Sequence, residues 1–146
     1  MIRTLLSVLG ILTVLLLSSG CAVQVSGAME PGIDAGRLRS FYVVTVKQGA
    51  VPQAIKEELT SRGYQVSLGE EANMPANVDS KVLFNDKWMW DITVYLLEVK
   101  IDLVDPKTGA MQGSGRSYRT SLARKSTEFM VKEVFDKIFQ TPAAKS

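Results

Sequence analysis

The chain has a single cysteine, Cys21, and no histidine. Together these facts decide what must hold its fold together. No disulfide can close within the chain, and no His or Cys set exists to bind a structural metal. The 126 residues from Cys21 to Ser146 are one domain in size and must be stabilised by burial of apolar side chains. The same absences exclude a Ser-His-Asp triad and any histidine general base. The fifteen Asp and Glu residues form no recognisable catalytic pair. The sequence therefore predicts no enzyme, no bound metal and no cofactor.

Cys21 ends the run Leu15-Leu16-Leu17-Ser18-Ser19-Gly20-Cys21. Arg3 supplies a positive start, and the 13 residues Leu5–Leu17 are apolar except for Ser7, Gly10 and Thr13. A helix of that length spans about 20 Å, short of the ~30 Å hydrocarbon core, so the segment reads as an export signal over residues 1–20. The run resembles the lipobox of bacterial lipoproteins, with Ser18 where that pattern usually has leucine. The resemblance implies cleavage between Gly20 and Cys21 and acylation of Cys21. Each buried CH₂ of an acyl chain contributes about 0.8 kcal/mol, so two or three chains hold a protein permanently. Ala22 follows the cysteine where Asp would signal retention at the inner membrane. In a Gram-negative host this implies an outer-membrane anchor with the domain facing the periplasm. Without Arg3, sixteen of the seventeen Lys and Arg residues remain against fifteen acids, so nucleic acid is not an expected partner.

Residues 21–37 are rich in small side chains, with Gly27, Pro31, Gly32 and Gly36 as breakers. They read as a lipidated flexible tether spanning roughly 20–25 Å, with an added strand as the competing reading. Residues 38–140 make the domain, and 141–146 a frayed tail. Phe41–Val46 is dense in β-branched and aromatic residues and predicts a strand. Val51, Ala54, Ile55 and Leu59 share one helical face, with Pro52 suited to the first helical position and Gly63 to the cap. Short strands follow at Tyr64–Leu68 and Val78–Asn85. A long strand is predicted over Trp88–Val104, then a turn at Asp105–Gly109 and a return strand over Ala110–Ser121. Gly113 and Gly115 in that return mark a bulge or the close approach of another element. Ser126 caps a last helix whose buried stripe is Met130, Val131, Val134 and Ile138. The fold class is α+β: one antiparallel or mixed sheet of about five strands with two helices on one face.

Within Trp88–Val104 the apolar character changes face. Trp88, Trp90, Ile92, Val94 and Leu96 occupy even positions, whereas Leu97, Val99, Ile101 and Leu103 occupy odd ones. A β-bulge near Leu96-Leu97 would re-phase the strand and keep one face buried throughout. A regular strand would instead leave Trp88, Trp90, Ile92, Val94 and Leu96 as an apolar patch on the open face, a partner surface. A second candidate is the cationic cluster Arg116, Arg119, Arg124 and Lys125, suited to an anion. The alternative for it is a solvated strand face paired with Glu98 and Asp102.

The segments Lys87–Tyr95, Asp102–Gly109 and Gly115–Arg119 resemble a group of small proteobacterial envelope lipoproteins without an assigned mechanism, over roughly Leu38–Phe139. The layout is similar in architecture to the small α/β domains of outer-membrane assembly lipoproteins. The resemblance implies location rather than activity. The function expected is a non-enzymatic envelope module binding a protein partner or itself through Trp88–Leu96. The alternative is a carrier or binder of lipid or an anionic envelope glycan.

Overall fold

The computed structural model describes residues 22–140; residues 1–20, expected to be an export signal, Cys21 with its expected acylation, and residues 141–146 lie outside the described residues. The strands are β1 (Val23–Met29), β2 (Ser40–Val44), β3 (Gln65–Gly69), β4 (Ser80–Asp91), β5 (Thr93–Val104) and β6 (Met111–Arg119). The helices are α1 (Ala50–Ser61) and α2 (Thr127–Ile138). The six strands form one mixed sheet in the order β1-β6-β5-β4-β2-β3. β2 is parallel to both β3 and β4, and the remaining pairs are antiparallel. Both helices pack on one face, as the periodicities require, and share one core.

Each helix buries the stripe that its 3.6-residue spacing marks. α1 sinks Val51, Ala54, Ile55 and Leu59, and α2 sinks Met130, Val131, Val134, Phe135 and Ile138. They meet Phe41, Val43, Val82, Val99, Ile101 and Leu103 from the sheet. Pro52 stands third in α1 rather than first, still within the turn where its missing N–H costs nothing. Gly63, just past α1, has φ +90°, the left-handed conformation that ends helices. Ser126 caps α2, its Oγ accepting from the Phe129 N–H at 3.2 Å.

The segment expected to be a tether contains a strand. β1 zips onto β6 from Val23↔Arg119 to Met29↔Gly113, which raises the sheet from five strands to six. Glycine is what admits it. A Cβ on Gly27 would lie 3.0 Å from Lys137 Cβ and 3.1 Å from the Ile138 nitrogen, so α2 rests directly on the β1 backbone. Gly113 and Gly115 of β6 do the same, and a register shift beside Gly113, where Leu103↔Gly113 gives way to Val104↔Met111, adds a bulge at Gln112, so both expected roles are present. A Cβ on Gly115 would sit 2.8 Å from Val134 Cγ1 and 2.9 Å from Ile138 Cγ1.

Overpacking of a filled core destabilises by about 1–3 kcal/mol. Gly115→Ala is therefore expected to lower the urea midpoint by that equivalent at an unchanged slope, as read by circular dichroism.

Candidate functional site

β4 and β5 are joined through Ile92 alone, with Asp91 paired to Thr93, Trp90 to Val94 and Trp88 to Leu96. The predicted strand Trp88–Val104 is thus two strands, and Trp88 and Trp90 belong to β4. The next pair is Lys87↔Glu98, which leaves Leu97 without a partner. This one-residue bulge turns the face of β5 over. Val94 and Leu96 before it, and Val99, Ile101 and Leu103 after it, all point to the helix side. β4 needs no such correction, because Val82, Phe84, Asp86, Trp88 and Trp90 alternate regularly onto that same side.

The bulge reading therefore holds, and the expected placement of the patch on the open face does not. The open face is polar: Arg116 is ion-paired with Glu98 and donates to Gln24 Oε1 at 2.9 Å, and Lys87 Nζ lies 3.1 Å from Glu98. The apolar face runs past the end of the helix layer instead. Leu96 is 2% exposed and belongs to the core, which removes it from the candidate patch. Two residues further out, Val94 is 65% exposed; across from them Trp88 is 41% and Trp90 73% exposed. Beyond the Trp88↔Leu96 pair the β4–β5 hairpin is an arm with no helix over it. Trp88 donates its indole N–H to Asp86 and lines a groove with Val46, Pro52 and Phe84.

At the turn, Ile92 has φ +64° and is 87% exposed. A β-branched residue in that region is strained by roughly 1–2 kcal/mol, which glycine would avoid. Its side chain brings the fold no burial in return. Arg124, from the connection after β6, grips the tip. It donates to Thr93 Oγ1 at 2.7 Å, pairs with Asp91 Oδ2 at 3.6 Å, and lies 4.8 Å over the Tyr95 ring.

The cationic cluster is not assembled. Arg116 points to the open face and Arg119 to the helix side, where it is 9% exposed. Arg119 makes a two-pronged pair with Glu133 of α2, at 2.9 and 2.6 Å, and Ser117 Oγ donates to the same carboxylate at 2.6 Å. Arg124 is spent on the arm, and Lys125 Nζ sits 5.2 Å from the Phe129 ring centroid. The alternation of β6 separates the first two, and Asp102 pairs with Lys100 at 3.6 Å rather than with an arginine. Sequence reasoning missed two exposed apolar residues, Leu122 at 97% and Val46 at 78%. Leu122 stands in a short connection where no periodicity exists to flag it, and Val46, read as the end of the strand Phe41–Val46, lies two residues past the end of β2.

No family model matches the chain, and no curated protein matches it. In fold it is similar to two structures of the PelC dodecamer from Paraburkholderia phytofirmans. One has TM-score 0.60 at 16% identity, covering 79% of this chain and 98% of that one. The other, of a variant, has TM-score 0.58 at 15% identity, covering 79% and 95%. A PDZ domain protein from Parabacteroides distasonis is similar at TM-score 0.51 and 13% identity over 85% of this chain, which spans 37% of that one. These likenesses show the fold.

Two expectations test this geometry. Leu96→Ala removes a buried side chain and is expected to destabilise by about 2–5 kcal/mol. Trp90→Ala is expected to stay within about 0.5 kcal/mol of the parent in the same urea titration. Acid reports on the Arg119–Glu133 pair. Burial pushes the Glu133 carboxyl up, but the hydrogen bonds from Arg119 and Ser117 outweigh it and hold it below its ordinary 4.5. A depressed carboxylate stabilises the fold above its unfolded value, and that contribution is lost as pH falls through the folded value. Stability is therefore expected to drop below about pH 4.5, and Glu133→Gln to flatten that slope while starting from a weaker fold.

Proposed function

We propose that the chain is a non-enzymatic contact module of the bacterial envelope, held at the outer membrane by acylated Cys21, with the β4–β5 arm as its working surface. One observation carries this reading: the apolar face of the sheet continues, uncovered, onto Trp88, Trp90 and Val94. A contiguous apolar patch of several hundred Å² is unusual on a monomer, and tryptophan is enriched where partners bind. The lipobox resemblance supports the anchor, and the absence of histidine from the sequence supports the non-enzymatic reading.

Self-association is the form of contact we favour. The two PelC structures, matched over nearly their whole length, are named as dodecamers. A patch repeated identically in every copy suits a symmetric assembly. The anion-carrier alternative is weaker, because Arg116, Arg119 and Arg124 already have carboxylate partners.

Native mass spectrometry of the full chain in mild detergent tests this. The expected mass is a multiple of the monomer, reverting to the monomer on Trp90→Ala combined with Val94→Ser, with the thermal melt unchanged. A wild-type chain that stays monomeric at high concentration and crosslinks to no envelope neighbour would overturn it.

A further inference from the structure

The register places several features at one end of the molecule. β1 is antiparallel to β6, and β6 to β5, so β1 and β5 begin at the same end. β4 finishes there, and so does β2, which is parallel to β4. The three most exposed large apolar side chains among the described residues stand in connections at that end. They are Leu122 at 97%, Ile92 at 87% and Val46 at 78%. The connections at the opposite end carry Glu30, Asp34 and Asp105; Ile33 in one of them and Met111 at the start of β6 are less than half exposed, at 38% and 42%.

The same register sets the distances. Val23 faces Arg119, and Tyr118 faces Glu98, so Val23 stands level with Leu97. Five residues separate Leu97 from Ile92, about 16 Å along an extended strand. Two residues separate Val23 from Cys21, at most about 7 Å. The arm thus reaches about 10 Å further than the attachment point, and no tether lies between them to lift the domain away.

We infer that this end of the domain, led by Ile92 and Leu122, docks on a phospholipid surface, with the arm's turn set among the headgroups; Val46, near the base of the arm, takes no part. The inference rests on the reading of Cys21 as acylated. The strained, exposed Ile92 supports it independently, since a turn built only for the fold would place glycine there. Lys47, Lys87, Arg124 and Lys125 at this end nearly balance Glu70, Asp86, Asp91, Glu98 and Glu128. The contact is accordingly apolar, and salt should leave it in place. It is compatible with association between copies, which uses the flank of the arm at Trp88, Trp90 and Val94, whereas the bilayer meets its turn.

The chain has two tryptophans, Trp88 and Trp90, both on the arm, so indole emission reports on it directly. The full chain, purified from membranes, is placed in phosphatidylethanolamine–phosphatidylglycerol vesicles, part of whose lipid is brominated near the glycerol end of its acyl chains. Brominated lipid is expected to quench the emission, and Ile92→Asp with Leu122→Asp to reduce that quenching severalfold while the protein stays vesicle-bound. Both positions are exposed, so the fold tolerates the change. Quenching by aqueous iodide with none by brominated lipid would overturn the inference. Protection from iodide without quenching by brominated lipid would also overturn it, by assigning the arm's cover to another copy. The mass of the N-terminal peptide reports acylation separately. An unacylated Cys21 with quenching by brominated lipid removes the anchor and leaves the docking; an acylated Cys21 without it does the reverse.

Discussion

The one-residue bulge at Leu97 is the constraint on which the arrangement depends. Strand geometry sends alternate side chains to opposite faces, and β5 carries its apolar residues on even positions before the bulge and odd positions after it. A regular β5 would turn either Leu96 or the set Val99, Ile101 and Leu103 away from the helices. With the bulge, all four are at most 2% exposed in one core. The opposite face is then free to be polar, and the ladder of Lys87, Glu98, Arg116 and Gln24 occupies it.

The second determinant is how closely α2 lies on the sheet. Gly27, Gly113 and Gly115 remove the side chains that would hold the helix off, so Val134 and Ile138 rest on backbone. Where β6 does carry larger side chains on that face, Ser117 and Arg119, they are polar and converge on Glu133. Buried polar groups of this kind are tolerated because each is matched, and the match fixes the helix in rotation as well as depth. The aromatic cluster of Phe41, Tyr64, Phe135 and Phe139 closes the seam between the two helices, with Arg62 bridging Glu58 of α1 and Asp136 of α2 above it.

Much of this was legible from residue order. The stripes Val51–Leu59 and Met130–Ile138, the caps at Gly63 and Ser126, and the Asp105–Gly109 turn all follow from local chemistry that the fold does not override. The change of face at Leu96-Leu97 also pointed to a bulge. Three features were missed or ranked second for physical reasons, β1 being the competing reading of its segment. β1 hides behind Ser26 and Gly27, because its stability comes from contact with β6 and α2 rather than from its own side chains. The turn at Ile92 contains no Gly, Asn or Pro, so nothing marked the division of β4 from β5. The partner of Arg119 lies on α2, and pairing between elements distant in sequence cannot be read from alternation along a strand.

The position of β1 also governs the order in which the domain can form. Its partner is β6, so the pair Val23↔Arg119 closes only after almost the whole chain is available. Non-local pairing of this kind is the slow step of sheet assembly. A polypeptide threaded across a membrane N-terminus first would carry β1 through early and hold it unpaired until β6 and α2 followed. The first strand made would be the last to lock, and the segment that follows Cys21 would stay extended until the rest of the domain had arrived.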